Sequence, residues 1–312
     1  MRKSILIAVD GSPNALSAVA YVALQCPASN TEVCLLSILH GENEEIFRQI
    51  PMDREFMDEM QRRYARYAAD CRDEAERFLS RCKEVLVGAG IGEGCVFSLL
   101  RNSKEGVARD IIAEASRGYD AVVLGRRGLG RVESAFLGSV SNKIVQSVHE
   151  LPVWIVGGEI RSRKILLAVD SSANACKAVE YAAPFLAASG AEIALCHVAR
   201  GFFPILGPTR FEPEGELEER LNEKLEKQIL EMFDSYRACL EKAGVGPEKI
   251  AGLYRIGSHG RAAEILEIAR EGGYGAIVMG RRGIGAVHEF FLGRVTNKVL
   301  NGAKGVAVWI VP

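Results

Sequence analysis

Gly125-Arg126-Arg127-Gly128, nine further residues, then Gly138-Ser139 form the stretch of this chain best suited to chemistry. The apolar run Ala121–Leu124 feeds into the first glycine, and Ser139 to Val148 has the composition of a helix. The glycines therefore fall between a strand and a helix N-terminus. Backbone N–H groups there lack intrahelical partners, the helix dipole favours negative charge, and glycine removes the side chains that would keep a phosphate away. That is an anion cradle. A single glycine-rich turn also reads as a plain surface loop. A near-copy, Gly280-Arg281-Arg282-Gly283, nine residues, Gly293-Arg294, follows about 155 residues downstream, and the repeated spacing argues for constraint and for two sites.

The elements that position these residues repeat as well. Residues 3–9 form an apolar run suited to a buried strand that ends at Asp10, and a helix over about 13–25 follows, with Ser12 as N-cap and Pro13 at its first position. A strand over about 31–38, a polar loop and a long amphipathic helix over 53–87 come next. The Met and aromatic stripe of that helix reads as core. Gly88 to Gly94 resembles a dinucleotide fingerprint but follows a helix and precedes a strand, so it is a helix stop and loop. A strand over 95–100, a helix over 104–117 capped by Ser103, a strand over 120–125, the cradle with its helix, and the strand Pro152–Val156 complete the first half. After the linker 157–162 the cycle restarts at Lys164–Asp170 and Ala191–Val198. A second long helix runs from Leu217 to Leu240. Strands near 250–256, 275–280 and 306–311 and helices near 259–271 and 294–302 finish the copy. Alternation of strands and helices predicts two parallel sheets with helices on both faces, in units 1–157 and 163–312.

Composition narrows the classes. The chain has 312 residues, enough for two ordinary cores, and a formal net charge of −1 with its cations dispersed, so no nucleic-acid stripe is expected. No apolar run reaches membrane-spanning length, and Asp10 interrupts the first run too early for a signal peptide. The eight cysteines lack a C-x-x-C pair and read as small buried hydrophobes of a reducing compartment. His288-Glu289 starts like H-E-x-x-H, but Leu292 stands at the second histidine position, and no metal site is expected.

The pattern G-x2-G-x9-G-[S/T] after a strand resembles the nucleotide-binding motif of the universal stress protein family, in its ATP-binding branch. The resemblance covers nearly the whole chain and departs from the motif at Arg294. It implies strand order 3-2-1-4-5 in each half, which brings Asp10 and Gly125 to one crevice, and Asp170 and Gly280 to another. It also implies ATP, ADP or AMP as ligand, with or without Mg2+. The phosphates would lie on Gly128, Gly138, Ser139, Val140 and Ser141, following Leu124 and Gly125. The ribose would lie on Asp10, and adenine on backbone near Ala8, Val9 and Ile38. In the second half the matching residues are Ala168, Val169, Asp170, Val198, Met279, Gly280, Gly283, Gly293, Arg294, Val295 and Thr296. Arg126, Arg127, Arg281 and Arg282 either neutralise phosphate or flank the loop as exposed cations. Arg294 either replaces the lost hydroxyl or fills the pocket. The resemblance further implies that Val153–Val156 and Val306–Val311 pair antiparallel, making the tandem an internal pseudo-dimer, with any further homodimer using another surface.

The function expected is a cytoplasmic adenine-nucleotide-binding protein that uses occupancy to bias conformation or partner choice under stress. The alternatives are a slow ATPase or phosphotransferase, or an architectural protein with vestigial sites. A G-x-x-x-x-G-K-[ST] loop is lacking, and no lysine, carboxylate and base are arranged for efficient phosphoryl transfer.

Overall fold

A computed structural model of the chain describes residues 2–39, 54–128, 137–200, 215–257, 260–283 and 292–312. His288-Glu289 lies outside these residues, as do the middle of both glycine motifs and the polar loop before the first long helix.

The first half runs β1 (Lys3–Val9), α1 (Pro13–Gln25), β2 (Thr31–Leu39), α2 (Arg54–Gly88), β3 (Val96–Asn102), α3 (Val107–Ala115), β4 (Ala121–Gly125), α4 (Ser139–Ser147) and β5 (Val153–Val156). The second runs β6 (Ile165–Ala168), α5 (Ala173–Ser189), β7 (Ile193–Arg200), α6 (Gly215–Lys242), β8 (Ile250–Gly257), α7 (Arg261–Glu271), β9 (Ala276–Gly280), α8 (Arg294–Gly302) and β10 (Ala307–Val311). Ser12 and Ser172 both cap as their type dictates, accepting from Ala15 N at 3.1 Å and Ala175 N at 3.2 Å. Ser103 does not cap α3. Gly106, at φ 108°, cannot continue a helix backward, so α3 begins at Val107. The Ser103 hydroxyl instead donates to Asp110 at 2.7 Å and accepts from Gly106 N at 3.1 Å.

The strands join in one ten-stranded sheet, ordered β3-β2-β1-β4-β5-β10-β9-β6-β7-β8. Each half is parallel inside and has the order 3-2-1-4-5. The central strands are apolar on both faces because helices cover both, and the two buried clusters that result run through both halves. The halves meet at an antiparallel β5–β10 pair. Trp154 stands opposite Trp309, so Val308 faces Ile155 and Val153 faces Ile310. The two indoles stack at 3.8 Å between centroids and 3° between planes. Tyr21 lies edge-on to Trp154 and Tyr181 edge-on to Trp309, each at 6.4 Å, which makes the junction pseudo-two-fold. This pairing covers the apolar edge that either half would otherwise leave open.

A candidate nucleotide crevice and its counterpart

At the carboxyl end of the first half's strands, β1 lies between β2 and β4, and the chain leaves these neighbours in opposite directions. Such a switch point opens a crevice. Here it is a cavity of about 1200 Å³, lined by Ala8, Val9, Asp10, Ile38, Leu124, Gly125, Gly128, Gly138, Ser139, Val140 and Ser141. Every first-half candidate except Arg126 is therefore present. The glycines serve different ends. A Cβ on Gly125 would meet Asn14 backbone atoms at 2.8 and 2.9 Å, so this glycine lets β4 approach α1. A Cβ on Gly128 would collide with the Asp10 carboxylate, which places Asp10 against the glycine loop, nearer the phosphate end than expected. Asp10 Oδ1 also accepts from Ser12 N at 3.1 Å.

Gly138 is the N-cap of α4 and has no side chain to cap with. Its own N–H donates to Arg126 O at 2.9 Å, so it is not the phosphate donor expected. The ladder of α4 starts with Asn142 N donating to Gly138 O, which leaves the N–H groups of Ser139, Val140 and Ser141 without carbonyls inside the helix. The Ser139 side chain is exposed to the crevice. The Ser141 hydroxyl is buried and donates to Gly125 O at 2.9 Å, tying helix to strand rather than facing a ligand. Thr296 does the same to Gly280 O at 3.0 Å.

The paired arginines separate. Arg127 lines the crevice, and its buried Nε makes no hydrogen bond among the described residues. Arg126 turns into the other half, where its guanidinium donates to Leu300 O at 2.6 Å and Asn301 O at 2.5 Å, the last-turn carbonyls of α8. Arg281 reciprocates on α4, donating to Val145 O at 2.7 Å, Val148 O at 3.0 Å and Gln146 O at 3.2 Å. These two cations, 5% and 2% exposed, satisfy helix C-termini across the junction and are not the phosphate ligands considered above. Burial, and then the neighbouring Arg127 or Arg282, pushes each guanidinium below its ordinary pKa.

The second half repeats the scaffold. A Cβ on Gly280 would meet Asn174 backbone at 2.8 Å, and one on Gly283 would meet Asp170 Oδ2 at 2.5 Å. Gly293 N donates to Arg281 O at 2.9 Å, and Arg294 heads α8 with an exposed side chain that does not fill a pocket. Ala168 pairs with Cys196 and Met279 in the strand register. Val198 is buried, and Val295 packs against the lower core. At the strand ends the half differs. His197 Nδ1 lies 2.8 Å from Val169 O, and the Tyr236 hydroxyl donates to Asp170 O at 2.7 Å. Burial, with Cys176 and Asp170 adding, pushes Tyr236 up to about 12, so it remains a donor at neutral pH.

Residues of the stripe read as core, Tyr64, Tyr67 and Cys71, complete the first crevice together with Arg72. These residues of α2 form one wall, and Arg72 donates to Asn102 at 3.3 Å. The stripe on α2 is core only toward its C-terminal end, at Leu79, Cys82 and Leu86; its earlier turns overhang the crevice. Among the described residues no group of three or more His, Cys, Asp or Glu gathers as a metal site, which gives Mg2+ no support. No helix among them is long and apolar enough to cross a membrane.

Residues 1–157 and again 161–312 match the Universal stress protein family. Universal stress protein YxiE of Bacillus subtilis is 32% identical over 139 residues, 44% of this chain and 90% of that protein. A universal stress protein of Mycolicibacterium smegmatis is 26% identical over 277 residues, 82% of this chain and 87% of its own length. The crystal structure of a universal stress protein from Archaeoglobus fulgidus, 19% identical, covers 98% of this chain and 97% of its own with a TM-score of 0.58, a likeness of fold. With both halves matched, the chain belongs to the universal stress protein family.

Proposed function

We propose that the chain, in two units 1–157 and 163–312, binds an adenine nucleotide in the first crevice and uses its occupancy to bias conformation or partner choice in a cytoplasmic stress response. One observation carries this reading: a single cavity joins an apolar end at β1 and β2 to the open N–H groups of α4 and the cation of Arg127. The apolar end suits a base, Asp10 suits ribose hydroxyls, and the helix N-terminus suits phosphate. Ser139, Val140 and Arg127 are the phosphate contacts, and Ala8, Val9 and Ile38 flank the base. Among the described lining residues no lysine stands with a base and a carboxylate for phosphoryl transfer, and the reading expects slow turnover, well below the roughly 10 s⁻¹ median of enzymes.

Calorimetry with ATP tests the assignment. A Cβ on Gly138 already meets Arg126 O at 3.3 Å and Arg127 Cα at 3.4 Å, so Gly138→Val pushes bulk into the cradle. Binding is lost in that variant. Unchanged ATP affinity would sink the assignment.

A further inference from the structure

The two long helices end on the same turn. Ile91 N donates to Leu86 O at 3.2 Å and Val245 N to Leu240 O at 3.1 Å, after glycines at φ 97° and 99°. Counting back from these matched leucines sets Ile229 in the place of Ala75 and Tyr236 in the place of Cys82. The strand registers likewise set His197 in the place of Ser37, since Ser37 pairs with Val9 and His197 follows the Ala168–Cys196 pair. At all three positions the second half carries the larger side chain.

Ser37, Ala75, Val9 and Asp10 all line the first cavity. In the second half Ile229 is 3% exposed, packed inward where Ala75 leaves room. The carbonyls of Val169 and Asp170, matching the floor residues Val9 and Asp10, are bonded by the chain's own His197 and Tyr236. A carbonyl only accepts, so the His197 Nδ1 carries the proton. A nucleoside entering there would have to displace both donors and the Ile229 side chain, leaving buried polar groups unpaired. The Gly138 and Gly293 bonds match between the halves, so among the described residues the difference lies at the nucleoside end.

We infer that the chain binds a single nucleotide, in the first half, and that His197, Ile229 and Tyr236 close the second crevice to it. The inference rests on the nucleotide reading above. Native mass spectrometry with ATP tests it on the full chain and on two matched variants, Ser139→Glu and Arg294→Glu. Both positions are exposed and begin a helix, where a carboxylate is favoured by the dipole, so both variants fold, as far-UV circular dichroism will verify. A carboxylate at position 139 repels phosphate, and binding falls at least about tenfold; the same change at 294 leaves it within about twofold. One ligand per chain, weakened in Ser139→Glu and kept in Arg294→Glu, is the expected result. Two ligands per chain overturn the inference and leave the nucleotide reading standing; one ligand that is weakened only in Arg294→Glu overturns the inference and, by placing the nucleotide in the second half, the assignment to the first crevice as well. No ligand on the unmodified chain overturns that reading and the inference with it.

Discussion

The first and second crevices are built on the same scaffold and differ at the strand ends and along the long helix. Strand order, the caps at Ser12 and Ser172, the glycine contacts with Asn14 and Asn174, and the arginine crossings recur in both halves. Where α2 presents Ala75 to the first crevice, α6 carries the buried Ile229, and His197 and Tyr236 bond the strand-end carbonyls of the second half. Conserving a glycine motif and conserving a pocket are thus separate matters. Gly125, Gly280, Ser141 and Thr296 are fixed by the packing of strand against helix, so they persist whether or not a ligand enters.

The largest effect that would break this comparison falls on the shared scaffold. Arg281→Ala leaves three last-turn carbonyls of α4 unpaired and lowers unfolding free energy by about 3 kcal/mol; Arg126→Ala, with two acceptors, costs somewhat less. Urea titration of both variants measures it, and no change in either would return these arginines to the list of available phosphate ligands. Next come Gly125→Ala and Gly280→Ala, each forcing a Cβ to within 2.8 Å of backbone. Each costs about 2 kcal/mol by overpacking, and thermal unfolding that hits one half far harder than the other would refute scaffold symmetry. The smallest effect sharpens the contrast. Tyr236→Phe removes only the hydroxyl on Asp170 O and costs about 1 kcal/mol. Stability unchanged in that variant would mean the bond does not hold the second floor closed.

Much of this architecture was legible in the sequence because local signals agreed with one another. The Ser12-Pro13 start, the apolar runs and the duplicated spacing point to alternating strands and helices in two units, while the strand order and the pairing of the last strands come from the family resemblance. Register was less legible: the apolar runs leave it open, and the opposed tryptophans set it. Ser103 was misread because a serine followed by a helical pattern says nothing of the positive φ at Gly106. The arginine pairs were ambiguous for a geometric reason. Adjacent residues leaving a strand point to opposite sides, so Arg127 meets the crevice and Arg126 the other half, and no property of the two side chains distinguishes them. The α2 wall reads as core because helical periodicity reports that a stripe is apolar, not whether every turn of it reaches the core.

The stacked indoles at the junction have an optical consequence. The chain contains two tryptophans, and both belong to that stack. Chromophores 3.8 Å apart and 3° from parallel are electronically coupled. Their exciton circular dichroism then depends on the distance and mutual orientation of the two rings, and so reports the contact between the halves. A denaturant titration that erased this exciton signal before the far-ultraviolet helix signal would record the parting of the halves as a separate event, with no label added.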